Sequence, residues 1–99
     1  MPTRNGGAVF ARALDGAMRQ RTARRVEWLA LDSGSTDGTL ERLRDRGVRV
    51  IETPRESFDW GAARNRLMEA ARGAIVVQLS QDAVPAGPDW LENLLAPFA

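Results

Sequence analysis

The stretch VEWLALDSGSTDGT, residues 26–39, decides the fold of this 99-residue chain. Residues 26–31 are mostly apolar, which is typical of a strand buried on both faces of a sheet. The polar residues that follow contain glycines, hydroxyls and carboxylates, a composition that forms a turn and begins a helix. The stretch therefore predicts a strand, a turn and a helix N-terminus, an arrangement that favours anions and polar ligand atoms.

Elements of the same two kinds flank this stretch. Apolar spacing predicts helices over 7–21, 37–46 and 61–72 and another after the turn at 85–88, with Ser35 or Thr36 capping the second. Apolar runs predict strands at 48–51 and, most strongly, 74–79. The core side chains expected from this spacing are Phe10, Leu14, Ala17, Met18, Leu40, Leu43, Leu67, Met68, Ala71, Trp90, Leu91, Leu94, Leu95 and Phe98. Alternating strands and helices predict an α/β fold with a parallel sheet.

The composition excludes several classes of function. The chain has no His and no Cys, which removes the Ser-His-Asp triad, thiolate nucleophiles and cysteine or imidazole metal sites. A net charge of +1 gives no global field for nucleic acid, and the arginines at 19, 21, 24 and 25 are expected to form a solvated helix end. No apolar run suits a membrane span or a signal peptide, so we predict a cytoplasmic protein.

Carboxylates follow two of the predicted strands. Asp32 and Asp82 would lie on the same edge of the sheet, where ligands of parallel sheets bind. Asp32 could accept a hydrogen bond from a nucleobase or a ribose hydroxyl. The alternative for the residues that follow it is that Ser35, Thr36 and their neighbours form a helix cap and a turn and have no further role. Asp82 could hold Mg²⁺ or Mn²⁺ together with diphosphate oxygens, or could be a turn residue alone.

The start of the third predicted helix carries the remaining candidates. Arg64 could reach the same edge and bind a base carbonyl or a phosphate, or could pair with Asp32 or Asp59. Arg66 is expected to face solvent. Phe58 and Trp60 are expected to pack against the protein, with a role as a pocket wall as the alternative.

Four motifs together resemble inverting glycosyltransferases of family 2, which have the nucleotide-sugar-binding GT-A fold. They are PTRN at 2–5, DSGSTDGT at 32–39, GAARN at 61–65 and LSQDAVP at 79–85. The last occupies the place of the family's metal-binding Asp-x-Asp motif, with Ser80 at the first Asp and Asp82 at the second. This variant is most similar to the rhamnosyltransferase-like branch, which uses UDP- or dTDP-linked deoxysugars.

The resemblance implies transfer of a sugar from a nucleoside diphosphate to a hydroxyl of a saccharide or lipid-linked acceptor, in cell-surface polysaccharide biosynthesis. It also implies a divalent metal, Mg²⁺ or Mn²⁺, held by Asp82 and the diphosphate. In the full-length form the protein could work at the cytoplasmic face of the membrane. The nucleotide-binding residues that it implies are Pro2, Thr3, Asn5, Asp32, Ser33, Gly34, Arg64 and Asp82.

Two departures from the family pattern shape the hypotheses. The family's first strand should precede Pro2 but is reduced to Met1, and the half that carries acceptor site and catalytic base is expected beyond Ala99. Residues 1–99 are therefore interpreted as a partial domain, the donor-binding half, and the activity of this half alone is left open. The alternatives are a non-catalytic nucleotide-binding or assembly module that completes its sheet with a partner chain, including a second copy, and a misplaced start codon.

Overall fold

Three parallel strands and the helices that cover them form the frame of the molecule. The computed structural model describes residues 1–98 and contains one sheet in the order β1-β2-β3. The strands are β1 (Pro2–Thr3), β2 (Leu29–Asp32) and β3 (Arg49–Glu52). The helices are α1 (Gly7–Met18), α2 (Thr39–Asp45), α3 (Trp60–Ala70) and α4 (Trp90–Leu95), with 3-10 turns at Arg55–Ser57 and Ala96–Phe98. The predicted α/β class with a parallel sheet is confirmed.

The central strand β2 is buried on both faces, as its apolar sequence predicts. Successive side chains of a strand point to opposite faces, so Ala30 and Leu31 enter different clusters. Ala30 belongs to the cluster formed with Phe10 and Leu14 of α1 and Leu43 of α2. Leu31 instead packs with the buried side chains of α3. The sheet is therefore covered by α1 and α2 on one side and by α3 on the other.

The start of α2 corrects the predicted capping. The helix begins at Thr39 rather than at residue 37, and its N-cap is Gly38 with a left-handed φ of 91° and no side-chain cap. Ser35 and Thr36 lie outside the helix because their polar groups bond to Asp32 and Asn5 instead. The turn after β2 thus extends to Gly38, further than the predicted cap at Ser35 or Thr36 indicates.

The end of α2 follows the predicted glycine stop. Gly47 adopts a φ of 75°, its N–H donates to the C=O of Arg44 at 3.0 Å, and the N–H of Val48 donates to the C=O of Leu43 at 3.0 Å. This pair of bonds is the Schellman motif, and the buried Val48 and Leu43 supply its hydrophobic contact. The chain therefore turns directly from α2 into β3.

The predicted strand over 74–79 is wrong: residues 76–80 are irregular and follow a bend. The reason lies in β1, the strand expected beside it. Met1 and Thr3 direct their carbonyls to β2, where they accept from Leu31 N–H at 2.9 Å and Ser33 N–H at 3.0 Å. Alternate residues of a strand point their polar groups to opposite sides, so Pro2 faces the other way and has no N–H to donate. The two-residue strand β1 therefore offers the run 74–79 only the C=O of Pro2, and this run has no backbone hydrogen bond to β1 within residues 1–98.

The first strand is longer than predicted. It is Pro2–Thr3 rather than Met1 alone, in register with Leu31 and Asp32 of β2. The Met1 α-amino group also donates to Leu29 C=O at 3.1 Å. These bonds are why a two-residue strand keeps its place beside β2.

Element ends and some exposed side chains differ from the sequence expectation. Strand β2 begins at 29, not 26, because β3 begins opposite Leu29 and β1 only opposite Leu31. Helix α1 ends at Met18, not at 21, because Gln20 turns away and binds the C=O of Gly87 at 2.7 Å. Helix α3 ends at residue 70. The side chains predicted to be core but exposed are Met68, Leu94 and Phe98.

Candidate functional site

The candidate site lies where β1 and β2 end. Thr3 and Asp32 are register partners, so the loops that follow them, residues 4–7 and 33–38, leave the sheet side by side. The turn at 80–82 reaches the same edge through hydrogen bonds to Arg4. We call this edge the rim. It brings together residues 3–5, 32–38 and 80–82 of three of the four motifs, and residues 80–82 arrive there through the Gln81 side chain rather than through a parallel strand.

Asp32 is the buried charge of the rim, with 1% of its surface exposed. Its Oδ1 accepts from the hydroxyls of Thr3 at 2.8 Å and Ser35 at 2.6 Å, and its Oδ2 accepts from the Ser35 N–H at 3.0 Å. A buried carboxylate needs such donors to offset the loss of water. Protein groups therefore satisfy Asp32, and its burial can be explained without a ligand.

Four successive N–H groups of the loop after β1 are bound by side chains from elsewhere. The pairs are Arg4 N–H to Gln81 Oε1 at 2.8 Å, Asn5 N–H to Ser35 Oγ at 3.0 Å, Gly6 N–H to Thr39 Oγ1 at 3.1 Å and Gly7 N–H to Asp37 Oδ2 at 3.0 Å. Rows of free N–H groups at a helix start ordinarily cradle phosphate. Here the row is already filled by the protein's own oxygen atoms.

The backbone conformation and the side-chain contact of Asn5 account for the asparagine at the end of the PTRN motif. Its φ of 44° is left-handed, a conformation that asparagine tolerates better than most residues. The side-chain Oδ1 accepts from the Thr36 N–H at 2.7 Å and so ties the β1 loop to the β2 loop. Ser33 is buried beside it and donates its N–H to Thr3 C=O, while Gly34 turns the chain with a φ of 79°.

Asp37 is a second carboxylate of the rim that accepts several hydrogen bonds from the protein. Its Oδ1 accepts from the Thr39 hydroxyl at 2.6 Å and the Thr39 N–H at 3.1 Å. The Thr39 hydroxyl, first, and then the N–H groups of Thr39 and Gly7 hold the pKa of Asp37 below its usual value of 3.8, against the opposing effect of desolvation. Asp37 is thus an anion that holds the rim loops together.

Asp82 is exposed on the rim in a tight turn. The turn is closed by the Ala83 N–H donating to Ser80 C=O at 3.1 Å, so the simple turn role is present. Its neighbour Gln81 accepts from the Arg4 N–H and donates to the Arg4 C=O at 3.1 Å. Sequence reasoning assigned Gln81 no role. The signal available in the sequence was Pro2, because a proline has no N–H to donate to a neighbouring segment. A side chain such as Gln81 can then bond to the backbone of β1 or its loop where a strand does not.

Arg64 lies on the exposed surface of α3. Within residues 1–98 it pairs with neither Asp32 nor Asp59, the two internal partners considered from the sequence. Its charge is felt at Met1, where burial first and Arg64 second lower the pKa of the α-amino group to about 6. The guanidinium of Arg64 is therefore available to an external anion or carbonyl.

Two further arginines, neither picked out from the sequence, border the rim. A Cβ built at Gly34 would lie 3.6 Å from the Cβ of Arg55, so Arg55 packs on the β2 turn. The Nε of Arg4 is buried and has no hydrogen-bond partner among residues 1–98. The Arg residues at 19, 21, 24 and 25 are all exposed, as expected of a solvated segment.

The aromatic pair beside α3 divides into a packed and an exposed ring. Phe58 packs against the cluster of Leu31, Ala63 and Leu67. Trp60 meets the Phe58 ring edge to face, with centroids 4.9 Å apart, but 62% of its surface is exposed. The packing expectation is confirmed for Phe58 and wrong for Trp60.

The donor set of the rim fits a metal only together with a ligand. Among residues 1–98 no group of three or more acidic, His or Cys side chains could hold a metal ion. Mg²⁺ commonly takes one or two carboxylates plus phosphate oxygens and waters. Asp82 can supply one such carboxylate, since Asp32 and Asp37 are engaged by the protein.

In the described part of the chain no helix is long and apolar enough to cross a bilayer.

A parallel sheet with polar loops at the carboxyl ends of its strands is the arrangement in which α/β proteins bind their ligands. Comparison with known proteins agrees: the model of glycosyl transferase family 2 matches residues 1–99. The chain belongs to this family, whose members commonly use a divalent metal. The resemblance to the family found from the sequence is confirmed.

Individual relatives carry names from one branch of the family. The chain is 30% identical over 101 residues to the O-antigen chain rhamnosyltransferase RfbN of Salmonella typhimurium, covering 100% of this chain and 32% of RfbN. It is 28% identical to the O-antigen chain rhamnosyltransferase WbaN of Salmonella anatum, covering 99% of this chain and 31% of WbaN. These names support the rhamnosyltransferase-like branch.

The similarity covers a minor part of each relative. An uncharacterized protein of Sinorhizobium fredii, y4gI, is 29% identical over 97% of this chain and only 11% of its own length. The chain therefore spans about a third or less of the relatives it matches. No solved structure matches it.

The Asp37 cluster makes the fold sensitive to acid. A carboxylate whose pKa is depressed on folding stabilises the fold above its ordinary pKa, and this contribution is lost as pH falls through the lowered value. We expect the free energy of unfolding to decline below about pH 4. Thr39→Val, which removes the hydroxyl donor, should move the pKa of Asp37 back toward 3.8.

Carboxyl-carbon NMR titration of Asp37 measures this shift directly. Thr36→Val is the matched control, because the Thr36 hydroxyl bonds to Asn5 rather than to Asp37. An Asp37 pKa that stays the same in Thr39→Val would contradict the assignment.

Proposed function

We propose that this chain binds the nucleoside-diphosphate part of a UDP- or dTDP-linked sugar at the rim. In this proposal it is the donor-binding half of an inverting glycosyltransferase. The observation that carries the proposal is the convergence of Thr3, Asp32 and the turn of Asp82 on one edge of a parallel sheet. We assign the acceptor site and the catalytic base to the other half of the family fold.

In this proposal different residues bind the nucleoside and the diphosphate. In this proposal Asp32, together with Thr3 and the turn of Ser33 and Gly34, shapes the nucleoside pocket. Pro2 and Asn5 hold the β1 loop in place. Because the loop N–H groups are filled, the diphosphate is left to the exposed groups, namely Arg64, Asp82 and the metal.

The chemistry supported at this site is stabilisation of a leaving group. When bound, Mg²⁺ or Mn²⁺ would neutralise charge that develops on the departing nucleoside diphosphate. Asp82 would anchor that cation from the protein side, and Arg64 would orient the nucleotide through its planar guanidinium. The proposed acceptor is a saccharide or lipid-linked hydroxyl, and the proposed location is the cytoplasm, at the membrane face in a full-length form.

The role of Arg64 predicts a specific loss. Arg64→Met should weaken UDP binding about tenfold, the size expected when a hydrogen bond to a charged group is removed. Arg66→Met is the matched control, since both arginines are exposed on α3. Titration calorimetry with UDP and dTDP measures the effect. Equal affinity in both variants would refute the role.

The role of Asp82 predicts a change in metal dependence. Asp82→Asn should remove most of the gain in UDP affinity that Mg²⁺ provides, about tenfold, while the metal-free affinity stays within about twofold. Asp89→Asn, an exposed carboxylate in another turn, should keep the full gain. Calorimetry with and without Mg²⁺ checks this, and an unchanged gain in Asp82→Asn would exclude the metal role.

A second candidate, a non-catalytic module that completes its sheet with another copy, has its own support. A hollow of about 320 Å³ lies between the start of β2 and the unpaired run 74–79. Met1, Trp28 and Leu29 line one side, and Val77 and Leu79 are among the residues on the other. An unpaired edge of β1 beside a hollow that is lined largely by apolar side chains favours strand addition.

Sedimentation velocity over a concentration series tests this candidate. The wild-type chain should self-associate, and Val77→Lys should abolish association because a charge replaces an apolar side chain of the hollow. Val84→Lys, on an exposed valine outside the hollow, is the control. A chain that stays monomeric at all concentrations rules the candidate out.

A further inference from the structure

We propose that Gln81 is a positioning residue that holds Asp82 on the rim by taking the place of a strand pair. The inference rests on the proposed function, because it concerns how the metal-binding carboxylate is presented. It starts from a contact between residues 77 apart in sequence, the side chain of Gln81 and the backbone of Arg4.

The geometry of the contact is that of a sheet ladder. In a parallel pair one residue uses both its N–H and its C=O to bond to the neighbouring strand. Met1 does this toward β2, with its amino group on Leu29 C=O at 3.1 Å and its C=O accepting from Leu31 at 2.9 Å. Arg4 does it toward Gln81, donating at 2.8 Å and accepting at 3.1 Å.

The carboxamide of Gln81 is the side-chain group that can replace a peptide here. Its C=O and NH₂ lie on one carbon and face the same side, so a single group offers the acceptor and the donor that a neighbouring strand supplies from two peptide groups. Since Pro2 gives the run 74–79 no N–H, the bond at Arg4 is the place where this segment is fastened to β1.

Space around the contact is tight enough to fix it. A Cβ built at Gly6 would lie 3.2 Å from Gln81 Oε1 and still closer to the Phe10 side chain. Gly6 therefore leaves room for the carboxamide between the β1 loop and α1. Asp82 follows immediately in the chain, so its backbone position is set by where Gln81 is held.

The experiment measures the gain in UDP affinity produced by Mg²⁺, using the full chain. Gln81→Met keeps the length of the side chain and removes both hydrogen bonds. We expect it to reduce the Mg²⁺ gain about five- to tenfold, with metal-free affinity within about twofold. Gln78→Met is the matched control, since Gln78 is an exposed glutamine of the same segment, and it should keep the gain.

A double-mutant cycle separates positioning from general stability. If Gln81 acts through Asp82, adding Gln81→Met to Asp82→Asn should cause no further loss of Mg²⁺ gain. A purely structural defect would lower metal-free affinity as well and would add to Asp82→Asn. Gln81→Asn, which keeps the amide but is one methylene shorter, should fall between wild type and Gln81→Met and serves if the latter fails to fold.

The outcomes distinguish the two levels of the proposal. A wild-type chain that binds UDP with a Mg²⁺ gain, and a Gln81→Met variant that keeps this gain, would overturn the inference alone. A wild-type chain that binds no UDP with or without Mg²⁺ would overturn the proposed function and this inference with it. Additive losses in the cycle would also overturn the positioning role.

Discussion

The buried carboxylate of Asp32 is the constraint on which the rim depends. A charge with 1% exposure at the end of the central strand must be met by donors, and β1 supplies one through Thr3 while the turn supplies the others through Ser35. Because those donors come from two different loops, satisfying one charge aligns both. The rim is therefore organised from the centre of the sheet outward.

The two-residue strand β1 is the second determinant. It bonds fully to β2, but its other side offers Pro2 and then Arg4, so regular pairing stops and a side chain takes over. Beside β1 the sheet is therefore followed by the irregular run 74–79, which is held to the β1 loop through the hydrogen bonds between Gln81 and Arg4. This asymmetry gives the molecule a well-ordered rim on one edge and an apolar hollow beside Met1.

Elements whose signals are local could be predicted from the sequence. The buried run before Asp32, the turn rich in Ser and Gly and the stop at Gly47 each carry their cause within a few residues, and the structure follows them. The run 74–79 has the strongest strand composition, yet its state depends on the missing N–H of Pro2, which is distant in sequence. Composition describes what a segment can do, whereas pairing depends on its neighbour.

The candidate site shows the same division. The sequence predicts Asp32 and Asp82 on one edge because parallel strands end together, whereas Thr3 follows only from the family resemblance. The partners of Asp32 and the contact of Gln81 could not be read from spacing, since both depend on the register of Thr3 with Asp32. Likewise both Phe58 and Trp60 are apolar residues near the start of α3, and the sequence does not say which ring reaches the core. In the structure Phe58 packs against the core cluster and Trp60 lies against the Phe58 ring.

The filled row of N–H groups after β1 has a consequence for selectivity. Asp37 lies against the first turn of α1, so the chain carries an internal competitor for the anion that a helix start attracts. Free inorganic phosphate, abundant in any cell, meets a negative charge there instead of a vacant cradle. Discrimination against simple anions is thus built into the loop.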